Sequence, residues 1–303
     1  MSLHVVESGV YSLVVDLGRP HSRSLGVPVG GAADRASFLL GNALVGNPLA
    51  AAALEISLAG PTLRAECDLA CVVNGAPFDL HCGDRSLRPG TSFTLHAGEI
   101  LRIGGTPEGM RAYLCVRGGI RTPVVMGSRS AVAPVRAGDV LPCEAGIIAG
   151  RFLIPPAELQ SWGITRGDLR VVEGGQSAWF PAEQWVSATF TVTGASNRMG
   201  IRLKGEPFAV PKTELVSEPV CPGAVQVTRD GQCIILGIDG QTIGGYPKIA
   251  QVISADLDWL GQLRPGDLVH FRRVTLAEAE SAHRERLAKL RECQARLQLA
   301  TAS

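Results

Sequence analysis

One short phrase recurs along this chain: a glycine–acid turn that launches an apolar run. His96-Ala-Gly-Glu-Ile-Leu-Arg-Ile103, Arg136-Ala-Gly-Asp-Val-Leu-Pro-Cys143 and Arg264-Pro-Gly-Asp-Leu-Val-His-Phe271 all follow it. Glycine and acid reverse the chain at little cost, and the run that follows is long enough for a strand and too short for a helix. Such recurrence builds barrels from similar hairpins, and its spread implies two related β units, one holding the first copy and one the last. The 36 glycines and 19 prolines, with few segments of helical period, fit a mainly β chain with many turns. Hydrophobic residues make up 46% of the 303 positions, enough for a sizeable core in each of two units.

Several function classes are disfavoured at once. The net charge is +1 and basic residues are scattered, so no nucleic-acid footprint is expected. No apolar run is long enough to span a bilayer and the N-terminus has no signal-peptide pattern, which makes a reducing cytoplasm the expected compartment. Cys67 and Cys71 are four apart, but no second pair completes a zinc set, so no metal is expected. Cys71, Cys115 and Cys233 lie in apolar runs and read as small core side chains.

Residues 4–15 read as two short strands with a turn near Ser8-Gly9, and residues 18–34 as a long glycine- and proline-rich loop. Asp34 stands where a helix over Arg35 to Leu44 needs its N-cap. It reads equally as part of an anion-friendly corner made by that helix terminus and the glycines before it. Strand and turn alternate from Ala53 to Ile120, and Asn74, after the buried run Leu69 to Val73, reads as a turn former or a site residue. The segment from Gly127 to Gly150 looks like a crossing between units. The expected division is therefore 1–125, 126–275 and a C-terminal amphipathic helix over 276–303, opened by the Thr275/Glu278 capping box.

The stretch Ile238-Asp-Gly-Gln-Thr-Ile-Gly-Gly-Tyr-Pro-Lys248 lies between the apolar runs Cys233 to Ile238 and Ile249 to Ile253. It reads either as an ordinary Gly-Gly hairpin or as a binding loop on a rigid scaffold, where paired glycines let backbone approach a ligand closely.

Six segments, in order, carry a resemblance. They are Gly26-Val-Pro-Val-Gly-Gly-Ala-Ala-Asp-Arg35, Arg111-Ala-Tyr-Leu-Cys-Val-Arg-Gly-Gly-Ile120, Met126-Gly-Ser-Arg-Ser130, Ser196-Asn-Arg-Met-Gly-Ile-Arg-Leu203, Pro222-Gly-Ala-Val-Gln-Val227 and Gln241-Thr-Ile-Gly-Gly-Tyr-Pro-Lys248. Through them the chain resembles the family variously called allophanate hydrolase subunit 2, biotin-dependent carboxyltransferase or C-type subunit of 5-oxoprolinase. The resemblance implies β-barrels, one of them cyclophilin-like. It implies a companion of related fold, like allophanate hydrolase subunit 1 or the B-type subunit of 5-oxoprolinase, and a third component of the lactam-utilisation type. It implies either ATP-dependent opening of 5-oxoproline to glutamate or carboxyl transfer from carboxybiotin to urea. Ala33 and Pro219 depart from the family pattern, which usually has methionine and glycine there.

For lactam opening, Arg198, Lys248 and the Gly244-Gly245 backbone are the candidate anion stabilisers and Asp34 or Asp239 the candidate base. Asn74, Ser196, Gln226, Gln241, Thr242 and Tyr246 are the candidate substrate-binding residues. No Gly-x-x-x-x-Gly-Lys loop is present, so ATP is expected to bind mainly on partner subunits. No biotin-attachment Met-Lys-Met segment is present either, so carboxybiotin would arrive on a separate carrier. A third reading is a regulatory protein that docks a companion or a kinase without chemistry.

Overall fold

The computed structural model describes residues 1–162, 168–213 and 215–302, with side chains through 299. The chain forms two compact units: Met1–Arg19, Asp34–Gly163 and Ala288–Ser303 make one, Pro20–Ala33 and Ile164–Leu287 the other.

The first unit holds β1 (Ser2–Glu7), β2 (Tyr11–Val15), α1 (Arg35–Leu44), β3 (Ala53–Ser57), β4 (Thr62–Ala65), β5 (Leu69–Gly75), β6 (Leu80–Cys82), β7 (Arg85–Leu87), β8 (Phe93–Leu95), β9 (Ile100–Ile103), β10 (Arg111–Val116) and β11 (Val140–Pro142). They form two sheets, in the orders β11-β1-β4-β9-β6-β7 and β2-β3-β10-β5-β8. Leu3, Leu63, Leu80 and Leu101 of one sheet and Leu54, Val73, Leu95 and Leu114 of the other merge into one core.

Successive side chains of a strand point to opposite faces, and β10 uses both. Ala112, Leu114 and Val116 enter the core between the sheets. Tyr113 and Cys115 meet α1, where the rings of Phe38 and Tyr113 pack edge to face at 5.8 Å. A strand buried on both faces reads as an unbroken apolar run, which is why residues 111–116 carry no alternation. β5 ends at Asn74-Gly75, as expected. Gly75, at φ 133°, lies so close to β10 that a Cβ would sit 2.7 Å from the Ala112 backbone.

The division differs from the one expected at 125/126. β11 pairs antiparallel with β1, and Ser92 bonds Ala149 and Arg151, so residues 126–162 belong with the first unit. Asp16 is the main tie within this region. Its carboxylate accepts from the Ser128 and Ser130 hydroxyls at 2.6 and 2.7 Å and from the Arg129 and Gly18 amides at 2.6 and 2.8 Å.

The second unit holds β12 (Asp168–Glu173), α2 (Glu183–Val186), β13 (Phe190–Val192), β14 (Gly200–Lys204), β15 (Glu218–Pro219), β16 (Ala224–Val227), β17 (Cys233–Leu236), β18 (Ile243–Gly244), β19 (Lys248–Val252), α3 (Leu257–Leu260) and β20 (Leu268–Arg273). Seven of its strands close a barrel in the order β12-β19-β16-β17-β14-β13-β20. Leu169, Val171, Phe190, Leu203, Val225, Ile235, Ile249 and Phe271 fill the interior. The closed barrel and the mainly β class agree with the expectation from the sequence; in the first unit the strands lie in two sheets. α4 (Leu276–Ala302) opens on the Thr275/Glu278 capping box, with the Glu278 amide 3.2 Å from the Thr275 hydroxyl. No helix among the described residues is long and apolar enough to cross a membrane.

Burial pushes the Asp16 carboxyl up, but the Ser128, Ser130, Arg129 and Gly18 hydrogen bonds together outweigh it and hold the group below its ordinary value. A carboxyl depressed in the folded state contributes stability that is present above its unfolded pKa and lost as pH falls through its folded one. Asp16→Asn should therefore cost about 2 kcal/mol at pH 7. The gap to the parent should shrink below about pH 4, as followed by urea unfolding across pH.

Candidate functional site

The barrel interior is lined by apolar side chains, and the polar candidates of this unit lie outside it. On β16, Val225 and Val227 point into the interior and Ala224 and Gln226 point out. Gln226 is nevertheless buried, because residues 217–222 and 241–246 cover that wall. β15 pairs with β18, Glu218 opposite Gly244 and Pro219 opposite Ile243, as a two-stranded flap. Val220 of the flap packs with Ala224 and Leu236 of the outer wall. In the stretch 238–248, Ile243-Gly244 forms the second strand of a flap whose first strand comes from 218–219, rather than a hairpin within the stretch.

Two donors lie beneath that flap. The pairing of β16 with β19 shifts between Val225 and Gln226, so that Lys248 rather than Ile249 stands opposite Gln226. Such bulges re-aim a side chain; here Ile249 stays in the core while the Lys248 ammonium meets the Glu218 carboxylate at 2.5 Å. The ammonium has no solvent contact and no well-aligned hydrogen-bond acceptor, so the contact is an ion pair. That charge, first as a hydrogen-bonding partner and then through space, holds the Glu218 carboxyl below its ordinary value. Gln176 braces the arrangement by accepting from the Lys248 amide at 2.9 Å. Gln226 Nε2 is buried with no hydrogen-bond partner among the described residues.

Gly244 makes this closure possible. A Cβ there would sit 2.6 Å from Gln241 Nε2 and 2.8 Å from Gln226 Nε2, so both carboxamides converge on the space a side chain would take. A Cβ at Gly245 would sit 3.2 Å from the Ser217 hydroxyl. Thr242 is buried and its carbonyl accepts from the Val220 amide at 3.0 Å, while Tyr246 stays at the surface.

Arg198 and Asp239 form a second group in the same unit. The guanidinium grips Asp239 bidentately, Nε to Oδ2 at 2.6 Å and Nη2 to Oδ1 at 2.9 Å, and donates to the Gly31 carbonyl at 2.7 Å. The Gly30 amide donates to the Ile238 carbonyl at 3.3 Å. Together these bonds staple the long 20–33 loop to residues 198 and 238–239. Arg198, the expected anion stabiliser, and Asp239, a candidate base, are thus held as a mutual pair that also orders the loop. Ser196 is likewise engaged in its own turn, accepting from the Arg202 amide at 3.0 Å.

The remaining candidates, Asp34 and Asn74, belong to the first unit. Asp34 is fully buried and caps α1, accepting from the Ser37 amide at 3.0 Å and the Ser37 hydroxyl at 2.7 Å. Asn74 donates to the Ser37 carbonyl at 2.7 Å. Tyr113 extends the network: its hydroxyl accepts from the Asp34 amide at 2.7 Å and donates to Glu55 at 2.9 Å, and Arg111 lies 3.3 Å from Glu55. Burial first, then the charges of Glu55 and Asp34, push the Tyr113 hydroxyl well above its ordinary value. Of the two sequence readings of Asp34, the N-cap describes what its carboxylate does here.

Glu218 and Gln176 were missed from sequence. Glu218 carried a signal, since it lies beside Pro219, where the chain departs from the family pattern; Gln176 carried none. Among the described residues no group of three or more His, Cys, Asp or Glu side chains is placed to hold a metal.

The second unit is thus a closed barrel with a two-stranded flap over one outer wall, Gln226 beneath it and Lys248 paired with the flap's Glu218. The chain belongs to the carboxyltransferase domain family, subdomains A and B, whose family model matches residues 25–273. It is 33% identical over 296 residues to the C-type subunit of 5-oxoprolinase from Escherichia coli, covering 93% of this chain and 94% of that one. The solved structure of TTHA0988 superposes with a TM-score of 0.80 at 36% identity over 89% of this chain, which spans 56% of the TTHA0988 chain. The urea carboxylase of Kluyveromyces lactis superposes with a TM-score of 0.87 at 27% identity, covering 96% of this chain and 29% of the enzyme.

Two substitutions separate the roles assigned here. Asp239→Asn should weaken the staple by about 1–3 kcal/mol and speed amide exchange at Gly30, read by hydrogen–deuterium exchange. Gly244→Ala should leave the barrel's Tm within a few degrees, because the groups it strikes are ends of flexible side chains, while abolishing small-ligand binding measured by calorimetry. Unchanged binding would show that the space at Gly244 is not used.

Proposed function

We propose that this chain is the C-type component of an ATP-dependent 5-oxoprolinase, which opens the lactam of 5-oxoproline to glutamate together with companion subunits. The observation that carries this reading is the buried Gln226 amide nitrogen, unpartnered among the described residues, beside the Lys248–Glu218 ion pair. A lactam presents a carbonyl oxygen and a ring N–H side by side. Gln226 and Lys248 would donate to the oxygen, and Glu218 would accept from the N–H. Lys248 would also balance negative charge that gathers on that oxygen as water adds to the carbonyl carbon, before the C–N bond breaks.

An unstrained lactam carbonyl is a poor electrophile, and ATP would supply a leaving group by phosphorylating its oxygen. A donor set that faces a carboxylate suits an amide better than a triphosphate, so the nucleotide is assigned to the companion subunits. These are expected to resemble allophanate hydrolase subunit 1 or the B-type subunit of 5-oxoprolinase, with a further component of the lactam-utilisation type. The second reading, carboxyl transfer from carboxybiotin to urea, is favoured by the likeness to the urea carboxylase. The same donors would then hold the ureido or urea carbonyl.

The chain reconstituted with its companions should release glutamate and phosphate from 5-oxoproline and ATP. Lys248→Ala should lower kcat by about 100-fold or more while the complex stays assembled by size-exclusion chromatography. Absence of both products from the assembled wild type would overturn the proposal. Turnover of carboxybiotin with urea would then favour the second reading, and silence in both assays the regulatory one.

A further inference from the structure

We infer that Arg23 is a docking point for a ligand oxyanion, the carboxylate of a small acid or a phosphate group. Arg23 lies in the 20–33 loop of the second unit, apart from the Gln226–Lys248 pocket in sequence, and none of the roles assigned above uses it. Its two terminal nitrogens, Nη1 and Nη2, have essentially no solvent contact and no hydrogen-bond partner among the described residues. A guanidinium brings five N–H donors in a planar fork. Removing it from water with nothing to accept those hydrogens is costly, and one missing partner is among the more destabilising defects a fold can carry. The planar fork matches the two oxygens of a carboxylate or phosphate.

The side chain is carried on a built turn. The Ser22 hydroxyl donates to the Val27 carbonyl at 2.9 Å, and the amides of Leu25, Gly26 and Val27 close back onto Ser22 and Arg23. Gly26, at φ 77°, ends the single helical turn 23–25 in the left-handed region that suits glycine. Further along the loop, the Arg198–Asp239 staple fixes residues 30–31. Arg23 is therefore carried on a turn closed by its own hydrogen bonds, in a loop whose far end is tied to the barrel unit, which lowers the freedom its donors lose on binding.

An uncompensated buried cation and a structural arginine respond oppositely to removal. If Arg23 only supported the loop, Arg23→Gln would lower the ligand-free Tm. If it awaits an anion, neutralising it should leave that Tm unchanged or raise it. The full chain and its companion complex would be titrated with inorganic phosphate, with 5-oxoproline, and with 2-pyrrolidinone, the same ring without the carboxylate. Wild type should bind phosphate or 5-oxoproline and gain Tm with ligand concentration. Arg23→Gln should weaken that binding at least about tenfold, and Arg23→Lys should recover part of it. 2-Pyrrolidinone should give no Arg23-dependent change. Response to phosphate alone identifies a phosphate site, and response to 5-oxoproline alone a carboxylate site. A lower ligand-free Tm in Arg23→Gln, equal binding by wild type and variant, or no binding of either oxyanion by wild type would each overturn the role. Full 5-oxoproline turnover in Arg23→Gln with an unchanged KM and unchanged oxyanion binding would remove Arg23 and leave the ring-opening reading intact. Arg23-dependent phosphate binding in an assembly that turns over no 5-oxoproline would do the reverse.

Discussion

The packing of the seven-strand barrel is the constraint on which the second unit depends. With Val225, Ile235, Ile249 and Phe271 lining its interior, the inside of the barrel is apolar, and polar side chains are carried on its outer wall. The strand period then decides which residues are available. Val225 and Val227 are committed inward, and Gln226 between them is the one that faces out. A regular ladder would have set Ile249 opposite Gln226. The shift in pairing sets Lys248 there instead, which joins a cation to an amide without taking an apolar residue from the core.

The two units handle buried charge differently. In the first, carboxylates are fully accounted for. Asp16 has four donors, Asp34 caps a helix, and Glu55 sits between Tyr113 and Arg111. Networks satisfied to this degree fix one packing of the sheets against α1 and their connecting segments. In the second unit Arg198 and Asp239 satisfy each other, whereas among the described residues Gln226 Nε2 and Arg23 Nη1 and Nη2 find no acceptor; in the first unit the Ser12 and Ser57 hydroxyls are likewise without one. Folds seldom leave buried donors unmatched.

Much of this was legible in the chain. The α1 cap at Asp34, the capping box at Thr275 and the two opening strands follow from local rules, in which a residue acts on neighbours three or four positions away, and the structure has them. The barrel was legible because glycine–acid turns and short apolar runs are local too. What could not be read was pairing at a distance. Residues 218–219 and 243–244 form strands of only two residues, too short to show any period, and their partnership exists because Val220 has an apolar wall to cover. Glu218 was overlooked as Lys248's partner for that reason. The roles given to Arg198 and Asp239 changed for the same cause: a sequence shows two chargeable residues near a glycine loop but not that they face each other.

That change of roles bears on how the site would work. A free arginine and a free aspartate would have been reactants, while a bidentate pair is a fixed strut. Its third bond, to the Gly31 carbonyl, makes the 20–33 loop part of the barrel unit although residues 34–163 separate the two in sequence. The loop that presents Arg23 and the stretch that leads into the flap are therefore set by one ion pair. Asp239 lies five residues before Gly244 and nine before Lys248, so a disturbance at the strut would reach both the unmatched guanidinium and the donors beneath the flap. Whatever chemistry is placed here, Arg198 and Asp239 hold the loop and the approach to the flap in one arrangement.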